Sequence, residues 1–376
     1  MADVKILILG GRFGGLQTAY DLKRYLKNKA DIKIIEKNRY VYFRPALPHV
    51  GIGLERSEDL RIDLTKVLSE RGIEFIQGTV TRIDPERNFV EYAKEGGGGY
   101  KEKYDFLVVA LGAHLASEMI AGFDKYGSSV CEADLAENMW KKLKDFKGGN
   151  ITLGSAKFIQ DTKNRPTSTP DKYAPIADSA CEGPVFEMSI MLYDYFKSKN
   201  MLDKVKMTVY SPGEYLSDLS RTSRATVASM YKGMNIELID NFVVKEVTEK
   251  EVISEDGRRL PSDISFILPP YTGQKIVKDA NLGDDVGFVL TGTDMKSVKY
   301  DNIYAVGDVN ALIVPKMAFL AVKAARIAAA NIANRFGLSV PVEVYDPKIV
   351  CVADSPYGNY AVAVTDSTFY GGNISE

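Results

Sequence analysis

The first fifteen residues constrain most of what this chain can fold into. Val4 to Leu9 (VKILIL) is almost continuously apolar, as a strand buried on both faces should be, and it runs straight into the glycine turn GGRFGG, Gly10 to Gly15. A helix is expected from about Leu16 to Lys29, then a second strand, Ile32-Lys33-Ile34-Ile35-Glu36, that ends in an acid. This is the opening of a βαβ unit. A glycine turn between strand and helix lets backbone N–H groups face a pyrophosphate, aided by the positive end of the helix. Gly10 and Gly15 are the outer glycines of G-x-G-x-x-G, and Glu36 lies about 20 residues on, at the strand end where a ribose hydroxyl is held. The middle position is Arg12, so a side chain stands where a phosphate should approach closely; Gly11 and Gly14 can give the turn freedom and Arg12 can supply a cation.

The rest of the chain repeats the theme. Short strands are expected at Glu74–Gln77 and Phe89–Tyr92, and a buried strand at Phe106–Leu111 ending on Gly112. The run 95–99 reads as a hairpin tip, because no helix starts after it. Helices are expected over Ala133–Phe146, Phe186–Lys197 and Ser223–Lys232. Strands are expected at Ile151–Gly154, Lys206–Tyr210, Ile236–Leu238 and Phe242–Glu249. Thr162–Pro175 is a polar, proline-bearing loop. Asn302–Val306 is again a strand, followed by Gly307-Asp308 and an alanine-rich helix from about Ala318 to Phe336. With 376 residues there is room for two or three domains. The expected fold is α/β, two tandem Rossmann-like dinucleotide-binding domains with a small β-rich C-terminal region. Residues 1–115 plus 286–335 would form the first domain, 116–285 the second and 336–376 the C-terminal region.

Composition excludes several classes. A net charge of −2 gives no electrostatic case for nucleic acid. No run of about 18 apolar residues is present to cross a bilayer. The N-terminal apolar run flows directly into the glycine turn, so it reads as a strand rather than a signal peptide, and a cytoplasmic location with reduced thiols is expected.

Tyr304-Ala305-Val306-Gly307-Asp308, taken with Val108-Val109-Ala110-Leu111-Gly112, is the pattern of two-dinucleotide-domain flavoproteins. On that pattern the cofactor is FAD. Gly112 and Gly307 permit close turns, Asp308 accepts hydrogen bonds from the ribitol chain, and Lys316 sits near the pyrimidine edge of the flavin, where a cation stabilises the reduced ring. The middle domain lacks such a signature: after Leu153-Gly154 come Ser155-Ala156-Lys157, which break the glycine spacing, and no strand-end acid follows.

Three cysteines, Cys131, Cys181 and Cys351, are scattered too widely for a metal knuckle or a C-x-x-C pair. An odd number argues against a purely structural disulfide set, and the plain alternative is three buried, apolar-like side chains. A fold that carries distant thiols to a flavin has the parts for sulfur redox chemistry. The two histidines, His49 and His114, sit in no catalytic-triad or metal-ligand pattern, and packing or surface roles fit them better.

These residues resemble the sulfide:quinone oxidoreductase family. The resemblance spans essentially the whole chain and is carried by GGRFGG, Glu36, FRPALPHV (Phe43–Val50), VVALGA, CEGPVFE (Cys181–Glu187), PPYTG (Pro269–Gly273), YAVGDV and VPKMAFLA (Val314–Ala321), with the three cysteine contexts as its specific part. It implies that Cys181 and Cys351 are the redox pair and Cys131 an auxiliary thiol. Sulfide is oxidised to polysulfide or sulfur, and FAD passes the electrons to a quinone. Lys316, Phe319 and Tyr357 are candidates for the quinone pocket, with Tyr360 and Phe369 as further aromatic walls, and Glu182 or Glu187 for a general base. It also implies peripheral or monotopic attachment at the cytoplasmic face of the cell membrane, and a homo-oligomer is an option. The rival readings are a type II NADH:quinone oxidoreductase, a flavocytochrome sulfide dehydrogenase needing export and a haem partner, and a flavin-binding interaction protein without turnover.

Overall fold

The computed structural model describes residues 4–161, 177–312, 314–345 and 347–366. The Thr162–Pro175 loop and Phe369 lie outside the described residues.

The apolar opening run forms β1 (Val4–Leu9), which returns through α1 (Phe13–Leu26) to a parallel partner, β2 (Ala30–Glu36). The register sets Ile6 opposite Ile32 and Ile8 opposite Ile34, all buried. The helix begins before the expected Leu16, because glycine's low helix propensity hides the first turn from a pattern reading. Gly14 and Gly15 are inside that turn since nothing larger fits. A Cβ on Gly15 would overlap the carbonyl oxygen of Gly10, and one on Gly14 would stand 3.1 Å from Val306 Cγ2. After a short helix, α2 (Leu47–Gly51), come β3 (Glu74–Gln77) and a three-stranded antiparallel meander, β4 (Thr79–Asp84), β5 (Phe89–Ala93) and β6 (Gly99–Lys103). Then β7 (Phe106–Val109) pairs with the other edge of β1.

The chain next builds a second parallel sheet. Its elements are β8 (Gly127–Ser128), α3 (Ala133–Leu143), β9 (Gly149–Ser155), α4 (Gly183–Ser198), β10 (Val205–Tyr210), α5 (Arg221–Gly233), β11 (Glu237–Ile239) and β12 (Ile264–Leu268). The strand order is β8-β12-β9-β10-β11, every pair parallel. In a dinucleotide-binding unit the helix follows its strand after a short glycine turn. Here β9 ends at Ser155 and α4 starts only at Gly183.

The chain then returns to the first sheet as β13 (Ile303–Ala305), completing the order β13-β7-β1-β2-β3. The helix α6 (Ala318–Asn334) follows and packs along α1. Its buried Ala324, Ala325, Ala328 and Ala329 let the two helices approach closely. A connecting pair, His114–Leu115 against Tyr271–Thr272, ties the two units.

The C-terminal region is a hairpin, β14 (Ile349–Ser355) and β15 (Tyr360–Asp366), with Cys351 opposite Val364. It lies along α4. Asp194 of α4, 5% exposed, accepts a hydrogen bond of 2.7 Å from Ser355 Oγ and a second from the Tyr360 hydroxyl. Asp194→Ala leaves these hydroxyls without their shared acceptor, at a cost of about 1–3 kcal/mol. A lowered melting temperature in thermal denaturation, with hairpin amides exchanging faster than those of the two parallel sheets, is the expected result.

Candidate active site

The turn at the N-terminus of α1 is a cradle for a nucleotide pyrophosphate. Gly10 has φ +103° and its missing Cβ would overlap the Ala110 carbonyl oxygen, so only glycine holds this turn against the end of β7. Glu36, at the end of β2, accepts the Gly11 N–H at 3.0 Å and the Asn38 N–H at 3.1 Å. Its carboxylate therefore closes the loop while facing the place where a ribose lies in such folds. Arg12 does not intrude. Its guanidinium swings away to a two-bond pair with Glu132, at 3.1 and 3.0 Å, and Arg44 binds the same carboxylate. Gly112, at φ +70°, has open space where a Cβ would stand.

The cleft continues past Gly307 (φ +75°) to Asp308 and Lys316. Lys316 is 7% exposed; its ammonium donates to the Asn310 carbonyl at 2.7 Å and lies 4.8 Å from the centre of the Phe288 ring. Burial pushes its pKa down to about 8, with Asp308 and Asp284 acting the other way. Asp308 is raised by burial, with Lys316 and Arg44 pulling it back. Glycine turns with positive φ at Gly10, Gly112 and Gly307, main-chain N–H groups at a helix start, and the half-buried Asp308 and buried Lys316 beyond fit an extended dinucleotide such as FAD.

The structure brings two of the three cysteines together. Gly183 opens α4, and the point where its Cβ would stand is 3.2 Å from Cys351 Sγ and 3.8 Å from Cys181 Sγ. Any larger residue would push the sulfurs apart. Around them is an apolar pocket walled by Phe186, Leu219, Val227, Met317, Val362 and Val364. Burial pushes the Cys181 thiol well up, and Cys351, Asp218 and Asp308 add to it. Burial, Glu187 and Asp218 raise Cys351 to about 11. Cys131 sits elsewhere, buried just before α3, hydrogen-bonded by Ser129 and Tyr271. Burial raises its pKa, whereas the Arg44 cation lowers it. Tyr271 lies within charge range of both Cys131 and Cys181.

Acidic side chains ring the cysteine pair. Asp218 lines the pocket and burial raises it to about 6. Glu187 is raised to about 8 by burial and by the Asp354 carboxylate. Glu182 serves the fold instead. Its oxygens accept the Ser155 hydroxyl and the Leu216 N–H, both at 2.6 Å, and burial raises it to about 7.

Other candidates fall at different places. Phe319 is exposed in the first turn of α6, just after Lys316. Tyr357 is at the hairpin tip, its ring 5.4 Å from that of Tyr195 near the far end of α4. At 1.5 Å rise per residue that is about 20 Å along the helix from Cys181. A lone aromatic in a turn carries no sign of which end of a helix it lands on. His114 is exposed and pairs with Glu118, away from the sulfur atoms. His49, on α2, reaches across to Asp354 of the hairpin at 3.1 Å. Arg44, Glu132, Asp218, Tyr271 and Asp354 escaped the sequence reading. Glu132 carried a positional hint beside Cys131, and Arg44 and Tyr271 lie within the FRPALPHV and PPYTG segments without a role having been read for them.

In the second domain, the ring of Tyr210 ends β10 and lies flat against Gly154, where a Cβ would overlap it. It is fully buried at the strand end where a nucleotide-binding unit places an acid for ribose.

The family model of the pyridine nucleotide-disulphide oxidoreductases matches residues 4–167. A sulfide-quinone reductase of Aquifex aeolicus is 28% identical over 93% of this chain and 80% of its own length. A mitochondrial sulfide:quinone oxidoreductase of Dictyostelium discoideum is 28% identical over 96% and 77%. A type II NADH:quinone oxidoreductase of Staphylococcus haemolyticus is 26% identical over 82% and 75%. The X-ray structure of the Aquifex aeolicus sulfide:quinone oxidoreductase superposes with a TM-score of 0.81 at 24% identity, covering 98% of this chain and 88% of that one. The chain is thus an FAD-dependent oxidoreductase of the two-dinucleotide-domain class. Over nearly its full length it is similar to sulfide:quinone oxidoreductases, at 28% identity.

The raised Glu187 carboxyl has a measurable consequence. A carboxyl raised from 4.5 to about 8 keeps its proton in the native state while the unfolded chain has lost it, so stability falls as pH rises through that window. Glu187→Gln removes this dependence. The melting temperature of the variant relative to the parent should climb from about pH 4.5 to about pH 8 and then level off, as read by thermal melts across that range.

Proposed function

We propose that this chain oxidises sulfide to polysulfide or sulfur at Cys181 and Cys351 and delivers the electrons through FAD to a quinone. The observation that carries the reading is the apolar pocket at the start of α4, in which both sulfurs approach one point. Sulfide attacks one sulfur of a bridge between the two cysteines. A new S–S bond forms, the bridge bond breaks, and the other cysteine leaves as a thiolate holding the electron pair. That thiolate then bonds to the outer sulfur of the new persulfide, whose proton is lost, and the two electrons released would be accepted by FAD, when bound, and passed to the quinone.

The chain's own residues do the rest. The turn at Gly10–Gly15 would bind the pyrophosphate, Glu36 the ribose and Asp308 the ribitol, with Gly112 and Gly307 allowing the cofactor to lie close to the backbone. Lys316 would place its ammonium by the flavin to offset negative charge, and the exposed Phe319 beside it and Tyr357 are candidates for quinone contact. Cys131, apart from the pair and facing Arg44, is an auxiliary thiol. Quinone resides in the bilayer, so the enzyme works at a membrane surface. Among the described residues no helix is long and apolar enough to cross one, in keeping with a peripheral contact.

The rival that a specific observation addresses is NADH oxidation. It needs a nucleotide crevice in the second domain, and there the Tyr210 ring covers Gly154 near the end of β9, while among the described residues the next α-helix starts at Gly183. Anaerobic mixing separates the readings. Sulfide is expected to bleach the flavin rapidly, and NADH is not. Bleaching by NADH alone favours the dehydrogenase, and bleaching by neither favours a protein without turnover. Cys181→Ser and Cys351→Ser should each lower sulfide-driven quinone reduction by at least about 100-fold with FAD content retained. Normal rates in either variant sink the assignment.

A further inference from the structure

We propose that Asp354 and His49 form a relay that carries protons from Glu187, beside the Cys181–Cys351 pocket, out to solvent. The inference rests on the sulfide-oxidising reading above. An apolar pocket lined by Asp218, with Glu187 close to Cys351, admits neutral hydrogen sulfide more readily than the HS⁻ anion, because burying an unpaired charge beside carboxyl groups is costly. The attacking species is nevertheless the anion. A proton must therefore leave the pocket each time sulfide reacts.

The geometry supplies a way out. Gly183 and Glu187 are four residues apart on α4, so the helix face that meets the two sulfurs also carries Glu187. The Glu187 carboxyl accepts the Asp354 backbone N–H and shares a side-chain hydrogen bond with the Asp354 carboxyl. Two carboxyls joined in this way hold a proton between them. Asp354 Oδ2 in turn meets His49 Nε2 at 3.1 Å. The Asp354 and His49 side chains are 37% and 24% exposed, so the line ends at water. It draws on three elements far apart in sequence, α4, β14 and α2. The other titratable groups facing it are Cys351, which faces Glu187 and Asp218, and Cys181, which faces Cys351, Asp218 and Asp308.

The proton balance is simple. Glu187 first hands the proton it carries to Asp354; hydrogen sulfide then gives one proton to the carboxylate left behind and becomes HS⁻, whose sulfur bonds to a cysteine sulfur as the bridge breaks. The proton handed to Asp354 passes on to His49 Nε2. The ring releases one from Nδ1 to water. Glu187 is held up at about 8, where it both takes and gives protons near neutrality. His49 and Asp354 are positioning residues: they act through Glu187 and touch neither sulfide nor flavin.

The test uses the FAD-loaded enzyme in anaerobic stopped flow, following flavin bleaching by sulfide. His49→Gln keeps a hydrogen bond to Asp354 but passes no proton, and Asp354→Asn keeps both neighbours' contacts with the same defect. Each should bleach at least about tenfold more slowly than the parent at neutral pH, with FAD content and melting temperature retained. Added imidazole should restore His49→Ala towards the parent rate, which a purely structural role of the ring does not explain. If His49→Gln bleaches at the parent rate, or if imidazole leaves His49→Ala unimproved, the relay is wrong. If sulfide fails to bleach the parent enzyme itself, the sulfide reading falls first and takes the relay with it.

Discussion

One helix and one hairpin make this molecule more than two nucleotide folds in tandem. Asp194, buried in α4, gathers the hydroxyls of Ser355 and Tyr360 and so lays the C-terminal hairpin along the helix. The hydrogen bond from His49 grips the same hairpin from the first domain. These contacts bring Cys351 to the start of α4, where Gly183 leaves room for it beside Cys181. Without that docking the two thiols have no reason to meet, because nothing in the parallel sheets requires it.

The three cysteines live in two electrostatic settings. Cys181 and Cys351 lie among Glu187, Asp218 and Asp308, which with burial favour uncharged sulfur. Cys131 faces Arg44, whose other partner is Glu132, and Glu132 is also held by Arg12 of the glycine turn. The side chain that replaces a glycine in the nucleotide motif is thus tied to the residue next to the third thiol. The crowding a middle-position arginine would impose on a phosphate is relieved by pairing its charge elsewhere.

Much of the fold was legible because it depends on short-range patterns. Continuous apolar strands, a glycine turn and a strand-end acid announce the first βαβ unit, and YAVGD announces the return to its sheet. What pattern reading misplaced was the start of α1, since the glycines that make a phosphate cradle are poor helix formers. The cysteine contexts pointed to a pair by resemblance, and the pocket lies where that pair would need it. Long-range partners were invisible. Nothing near His49 signals Asp354, nothing near Arg12 signals Glu132, and Tyr357 gave no hint that its hairpin tip falls at the far end of α4. Such pairings are set by how whole layers stack, which no local window contains.

The Tyr210 ring seated on Gly154 has a consequence for the cell around it. A module that in outline resembles a nicotinamide port carries an aromatic ring of its own over the glycine. On the proposed reading, an electron carrier closed in this manner draws its electrons through the thiols. Its throughput would then report the supply of sulfide and not the general redox state of its surroundings.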